Sequence, residues 1–121
     1  MSKKILVIDD EQHWINGIQD ILETANYEVI SATDGLEGFN KIKQNKPDLV
    51  ILDVMLPKMD GYKICGLLKA DLRYKEIPII LFSARAETDD ENIAKTVGAD
   101  AYLVKFKLTD LLEKVKELLR S

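Results

Sequence analysis

Hydrophobic and polar positions fall in alternating blocks along this chain, and the period within the blocks switches repeatedly between that of a strand and that of a helix. Lys4 to Ile8 is an apolar run of strand length, followed by Asp9-Asp10-Glu11. Trp14, Ile15, Ile18, Ile21, Leu22 and Ala25 then recur at helical spacing, which predicts an amphipathic helix. Glu28 to Ser31, with Val29 and Ile30, predicts a short second strand. Asp34 with Glu37 three residues on resembles a capping box, opening a helix that buries Phe39 and Ile42. Pro47 ends that unit.

Leu49 to Leu52 is a continuous apolar run, as expected of a strand buried on both faces. It stops at Asp53, and Pro57 with Asp60-Gly61 marks a loop. Ile64, Leu67 and Leu68 mark a third helix, and Pro78 introduces a fourth strand, Ile79 to Phe82, ending at Ser83. Thr88-Asp89-Asp90-Glu91 places acids at a helix start, where the macrodipole favours them. In that helix Ile93 and Val97 are expected to face inward and Gly98 to close the end. Ala101 to Val104 is a fifth strand ending at Lys105, and Leu108, Leu111, Leu112, Val115, Leu118 and Leu119 form the cleanest amphipathic stripe.

Five strand–helix units in succession predict an α/β fold, a doubly wound parallel sheet with helices on both faces. Right-handed crossovers make a flavodoxin-like (βα)5 sheet of strand order 2-1-3-4-5 the leading topology. The 121 residues suit one domain spanning 1–121, with no internal linker or repeat. Net charge is −4, which argues against a direct nucleic-acid binder. No apolar run is long enough for a membrane span or a signal-peptide core. Cys65 is the only cysteine, so an internal disulfide is excluded and the cytoplasm is the expected compartment.

In a parallel sheet all strands end on one edge, which here collects Asp9, Asp10, Asp53, Ser83 and Lys105. Strands one and three are neighbours in the expected order, so three carboxylates converge and would repel one another unless a cation intervened. Mg²⁺ suits such a site, being held commonly by one or two carboxylates plus phosphate oxygens and water. Lys105 offers a point charge for phosphate and Ser83 a hydroxyl donor. Phosphoryl transfer asks mainly for such positioning and neutralisation, with Asp53 as the acceptor. Singly, each residue has a plainer role. Asp9 or Asp10 alone reads better as a helix cap, Asp53 alone as a turn-former, and Ser83 or Lys105 alone says almost nothing. Their joint placement at different strand ends carries the inference.

Asp9-Asp10, Asp53 with Pro57 and Asp60-Gly61, Ser83-Ala84 and Lys105 together resemble the receiver domain of two-component response regulators, as in single-domain chemotaxis-type regulators. The resemblance runs from Lys4 to about Leu119. It implies a phosphorylation switch fed by a histidine kinase or a histidine phosphotransfer protein. Asp53 would form the acyl phosphate. Asp10 and Asp53 would ligate Mg²⁺ directly, Asp9 through water, and Met55 through its backbone carbonyl. Lys105 would pair with Asp53 and then with the phosphoryl group. Ser83 would swing to a phosphoryl oxygen and Tyr102 turn inward behind it, changing the face of the fourth helix, fifth strand and fifth helix. Met55 and Arg85 would tune phosphorylation and self-dephosphorylation rates. The implied output is a downstream protein target or an output domain beyond Ser121, with homodimerisation through the fourth and fifth helices as a further implication.

The chain departs from the family after Lys105, where a proline, often cis, and an aromatic residue are usual. Phe106 follows directly, as though the proline were deleted. An ordinary trans peptide and a loop one residue shorter are expected, since a non-proline cis bond costs about 3 kcal/mol. Gly38 costs about 1 kcal/mol in a helix interior unless close packing needs it. His13 is expected at the surface, Trp14 in helix packing, Cys65 as an inert thiol and Leu36 exposed. A haloacid dehalogenase-type phosphatase would need an acid two residues after the nucleophile, where Met55 stands. A P-loop motif is absent, and Asp9 and Asp10 occupy the place of a flavodoxin phosphate loop. The remaining alternative is a receiver-like protein-interaction module that no longer uses phosphorylation.

Overall fold

The computed structural model describes residues 2–84, 88–105 and 108–120, without the side chains of 88–90. In chain order the elements are β1 (Lys4–Ile8), α1 (Gln12–Thr24), β2 (Glu28–Ala32), α2 (Gly35–Asn45), β3 (Leu49–Leu52), α3 (Gly61–Ala70), β4 (Ile79–Ser83), α4 (Thr88–Thr96), β5 (Ala101–Val104) and α5 (Leu108–Leu119). All strand pairs are parallel, in the order β2-β1-β3-β4-β5. The expected flavodoxin-like sheet is the one that forms. Phe106 and Lys107, where a shorter loop is expected, and Arg85 lie outside the described residues.

Successive strand side chains point to opposite faces, so each central strand feeds two cores. Leu6, Ile8, Val50, Leu52, Ile79 and Leu81 pack on one face with Ile42, Ile64 and Leu68. Ile5, Val7, Leu49, Ile51, Ile80 and Phe82 pack on the other with Ile15, Ile18, Leu22, Leu111 and Val115. This is why the runs in β1, β3 and β4 are continuously apolar. Both of their faces are covered.

Local chemistry sets the helix ends. Asp34 caps α2 by accepting the Glu37 N–H at 2.8 Å, while Glu37 reaches back to the Thr33 N–H at 2.6 Å, one residue before the cap. Asp60 caps α3 through the Lys63 N–H at 2.8 Å. Gly98, at φ 86°, follows α4 in the left-handed conformation that glycine tolerates. Gly38 is explained by packing: a Cβ there would stand 2.5 Å from Ile8 Cδ1. Helix α2 lies so close to β1 that a side chain at that turn would require Ile8 to move.

One inward assignment needs correction. Ile93 is 40% exposed, and Ala94 takes the buried position at 3%. Val97 does pack on the core. The small residue sits where α4 approaches the sheet, and the larger neighbour is turned outward. Leu67 and Leu36 are exposed as well, the latter as expected.

Several polar side chains pin strand entries. Asp48 accepts the Lys4 N–H at 2.7 Å, and Asp100 accepts the Ile79 N–H at 2.8 Å. Lys69 pairs with Asp100 at 2.8 Å and donates to the Ile77 carbonyl at 2.9 Å, tying α3 to the entries of β4 and β5. Cys65 is buried beside them, and burial pushes its thiol up to about 11, so it is inert at neutral pH. Between α3 and β4 a turn segment inserts Tyr74 into the core. At the outer edge of the sheet, the Lys41 ammonium donates to the Ser31 carbonyl of β2.

Candidate functional site

Three residues lie one step past their strands, yet their amides still join the ladder. The Asp9 N–H donates to the Ala32 carbonyl at 3.0 Å, Asp53 to Ile8 at 2.9 Å, and Lys105 to Ser83 at 2.8 Å. The sheet therefore fixes their backbones while the side chains leave it at one edge. Gly61 fixes the far side of the Asp53 turn. Its N–H donates to the Val54 carbonyl at 2.9 Å, and a Cβ there would stand 2.2 Å from the Asp53 carbonyl oxygen. The start of α3 rests directly on the Asp53 backbone, an approach only glycine permits.

The side chains meet as the sequence predicts. Asp9, Asp10 and Asp53 each place a carboxylate oxygen within 4.8 Å of the others. Asp9 and Asp53 are buried and Asp10 is exposed. The Lys105 ammonium, 2% exposed, lies 2.8 Å from Asp9 Oδ2 and 3.1 Å from Asp53 Oδ2. The second oxygen of Asp53 accepts the Met55 N–H at 3.1 Å. Neither Asp9 nor Asp10 caps α1. Glu11 stands at the cap without a side-chain bond, and Asp9 instead accepts the Glu11 N–H at 2.9 Å.

Burial pushes the Asp53 carboxyl up to about 6. The Met55 N–H opposes the rise, the charge of Asp9 adds to it, and Lys105 counters it. For Lys105, burial acts downward. The hydrogen bond to Asp9 and the charges of Asp53 and Asp9 outweigh it, so its ammonium is held above its ordinary value. Three carboxylates against one ammonium leave the site short of positive charge. Asp10 has no hydrogen bond or ion pair among the described residues, and it faces an open cavity of about 480 Å³ lined by Met55, Pro57, Asp60 and Tyr62. An oxygen-rich, anionic, water-accessible corner of this kind fits a hard divalent cation such as Mg²⁺.

Ser83 is fully buried at the end of β4, beside the strand that carries Lys105. Tyr102 is half-buried against the core. It lines a cavity of about 270 Å³ between α4, β5 and α5, together with Glu91, Lys95 and Lys114. The Met55 side chain is exposed at the mouth of the acidic site. His13 is exposed beside Glu11, as expected. Trp14 packs on the core as expected, but it also does something the sequence did not reveal. Its ring lies 5.2 Å from the Lys105 ammonium.

A parallel 2-1-3-4-5 sheet with an acidic cluster and a buried lysine at its C-terminal edge defines the class of flavodoxin-like α/β domains with their site at the strand ends. Within that class, this chain belongs to the response regulator receiver domain family, whose model matches residues 5–116. As such it is a receiver domain, the phosphorylation-controlled signalling switch of two-component systems. It is 42% identical over 99% of its length to the alkaline phosphatase synthesis transcriptional regulatory protein PhoP of Bacillus subtilis, of which it covers 50%. It is 33% identical to protein PilG of Pseudomonas aeruginosa, covering 93% of this chain and 84% of that one. Chemotaxis protein CheY4 of Vibrio cholerae superposes with a TM-score of 0.91 at 30% identity, over 98% of this chain and 100% of that one. The chain spans about half the length of the transcriptional regulators it matches. Among the described residues no helix is long and apolar enough to cross a membrane.

Proposed function

We propose that residues 1–121 form a receiver domain in which Asp53 is the phosphoacceptor. The observation that carries this reading is the contact of one buried carboxylate, Asp53, with the Lys105 ammonium at 3.1 Å inside a cluster of three acids. With its carboxyl at about 6, Asp53 is roughly nine-tenths ionised at pH 7, so the nucleophile is available. An Asp53 oxygen attacks phosphorus, the bond from phosphorus to the donor's imidazole nitrogen breaks, and an acyl phosphate remains. Asp10 and Asp53, with the Met55 carbonyl, would hold Mg²⁺ directly, and Asp9 through water. The ion supplies charge neutralisation for the transferring group.

Lys105 then exchanges its bond to Asp53 for one to a phosphoryl oxygen, retaining Asp9. The Ser83 hydroxyl donates to another phosphoryl oxygen and Tyr102 follows inward, altering the face made by α4, β5 and α5. The chain catalyses its own phosphorylation and dephosphorylation and turns over no separate substrate. A phosphohistidine protein, either a histidine kinase or a phosphotransfer protein, is the donor. The receiver of the signal is a protein target or an output domain. Phosphorylation-dependent homodimerisation through α4 and α5, and a cytoplasmic location, belong to the same reading.

Intact mass after incubation with acetyl phosphate, with and without Mg²⁺, tests it. One phosphoryl adduct that requires Mg²⁺ and disappears in Asp53→Asn is the expected result. No adduct under any condition, from acetyl phosphate or from a phosphohistidine donor, would leave an interaction module that does not use phosphorylation.

A further inference from the structure

Lys105 is enclosed on three sides, and only two of them are carboxylates. Asp9 and Asp53 approach its ammonium at 2.8 and 3.1 Å, and the indole of Trp14 lies at 5.2 Å from it. That distance falls within the range of cation–π attraction, for which tryptophan is the best partner. Trp14 is itself held by the edge of Phe82, with ring centroids 5.9 Å apart and planes at 90°. Phe82 is buried in β4, next to Ser83. The ring that faces the lysine is thus fixed by the same strand that carries the serine.

We propose that Trp14 is a positioning residue for phosphoryl transfer, its ring holding the Lys105 ammonium in the site while that group exchanges Asp53 for a phosphoryl oxygen. This rests on Asp53 being the acceptor. The physical need is clear from the geometry. A hydrogen bond to Asp53 is directional and must be given up as the acyl phosphate forms, and Asp9 alone would draw the ammonium toward β1. A π face attracts the ammonium with little directional demand, so the lysine can turn without losing that contact. An aliphatic residue at position 14 would fill the space but attract nothing.

Trp14 is the only tryptophan of the chain, so feeding fluorinated tryptophans alters this ring alone. Fluorine withdraws charge from the π face while nearly preserving its shape. With acetyl phosphate and Mg²⁺, the rate of Asp53 phosphorylation should fall stepwise from mono- to di- to trifluorinated protein, by about three- to tenfold in all, with an unchanged melting temperature. Trp14→Leu should fall as far, and Trp14→Phe should recover part of the loss. In the unphosphorylated protein, the Lys105 ε-methylene protons should show an upfield ring-current shift that Trp14→Leu removes. A wild type that is phosphorylated normally, with a flat fluorinated series, overturns the role of Trp14 and leaves Asp53 as acceptor. A wild type that takes no phosphoryl group overturns both, and the ring-current shift then reports only packing.

Discussion

Replacing Asp53 by asparagine should stabilise the metal-free protein at neutral pH. In the folded chain burial lifts this carboxyl from 3.8 to about 6, a net figure that already includes the help of Lys105 and the Met55 N–H. At pH 7 that rise corresponds to roughly 3 kcal/mol of native-state cost, and water at the open mouth beside Asp10 reduces it to about 2 kcal/mol. Asparagine keeps the shape and carries no charge, and Lys105 retains Asp9, but its single carbonyl oxygen can accept only one of the two bonds that Asp53 takes from Lys105 and the Met55 N–H. That loss costs about 1 kcal/mol and leaves a net gain of about 1 kcal/mol. Between 3.8 and about 6 the native state holds a proton that the unfolded chain has released, so wild-type stability falls as pH rises through that window and levels above it. Asp53→Asn should lack this fall. For a chain of 121 residues, 1 kcal/mol is worth about 4 °C in melting temperature. Urea melts from pH 4 to 8 in EDTA would measure it. Added Mg²⁺ should raise the wild type and hardly move the variant, because the cation removes the charge repulsion. An Asp53→Asn protein less stable than wild type at pH 7 without Mg²⁺ would refute the reasoning.

Two glycines give further checks. Gly61→Ala would bring a Cβ against backbone that cannot give way, 2.2 Å from the Asp53 carbonyl oxygen and 2.8 Å from Val54 Cα. A loss of about 3 kcal/mol is expected together with slowed phosphorylation, seen in parallel denaturation and acetyl phosphate assays. Gly38→Ala gains about 1 kcal/mol of helix propensity but meets Ile8 Cδ1 at 2.5 Å, for a net loss of about 1 kcal/mol. Ile8→Val removes that methyl, so a double-mutant cycle should show favourable coupling between the two changes; zero coupling would mean that the helix simply shifts.

What could be read from the sequence was whatever one residue's neighbours in the chain determine. Asp9 and Asp53 each follow an apolar run buried on both faces, and Lys105 follows the half-buried run of β5, so the change from apolar to charged marks the end of each strand in the sequence. Their convergence then follows from parallel strands sharing one edge. Helix α4 is short and its apolar stripe ambiguous, so residue size points to Ile93 as the inward position, whereas Ala94 is the residue that is buried. Tyr74 lies in a turn segment without periodicity, so nothing local marks it as core. The second role of Trp14 depends on a lysine some ninety residues away returning across the sheet. Its sequence signal, an aromatic on the apolar stripe of α1, is the same as that of plain packing.

The lysine at the rim of β2 bears on how copies of this chain behave when crowded. An outermost strand offers outward-pointing carbonyls that another molecule's strand could pair with, the usual start of edge-to-edge aggregation. Here the Ser31 carbonyl is already occupied by the Lys41 ammonium. An incoming strand would have to displace that charge and leave it without water in a newly formed interface. The contact thus raises the cost of adding a strand at this carbonyl of β2, through a single residue of α2.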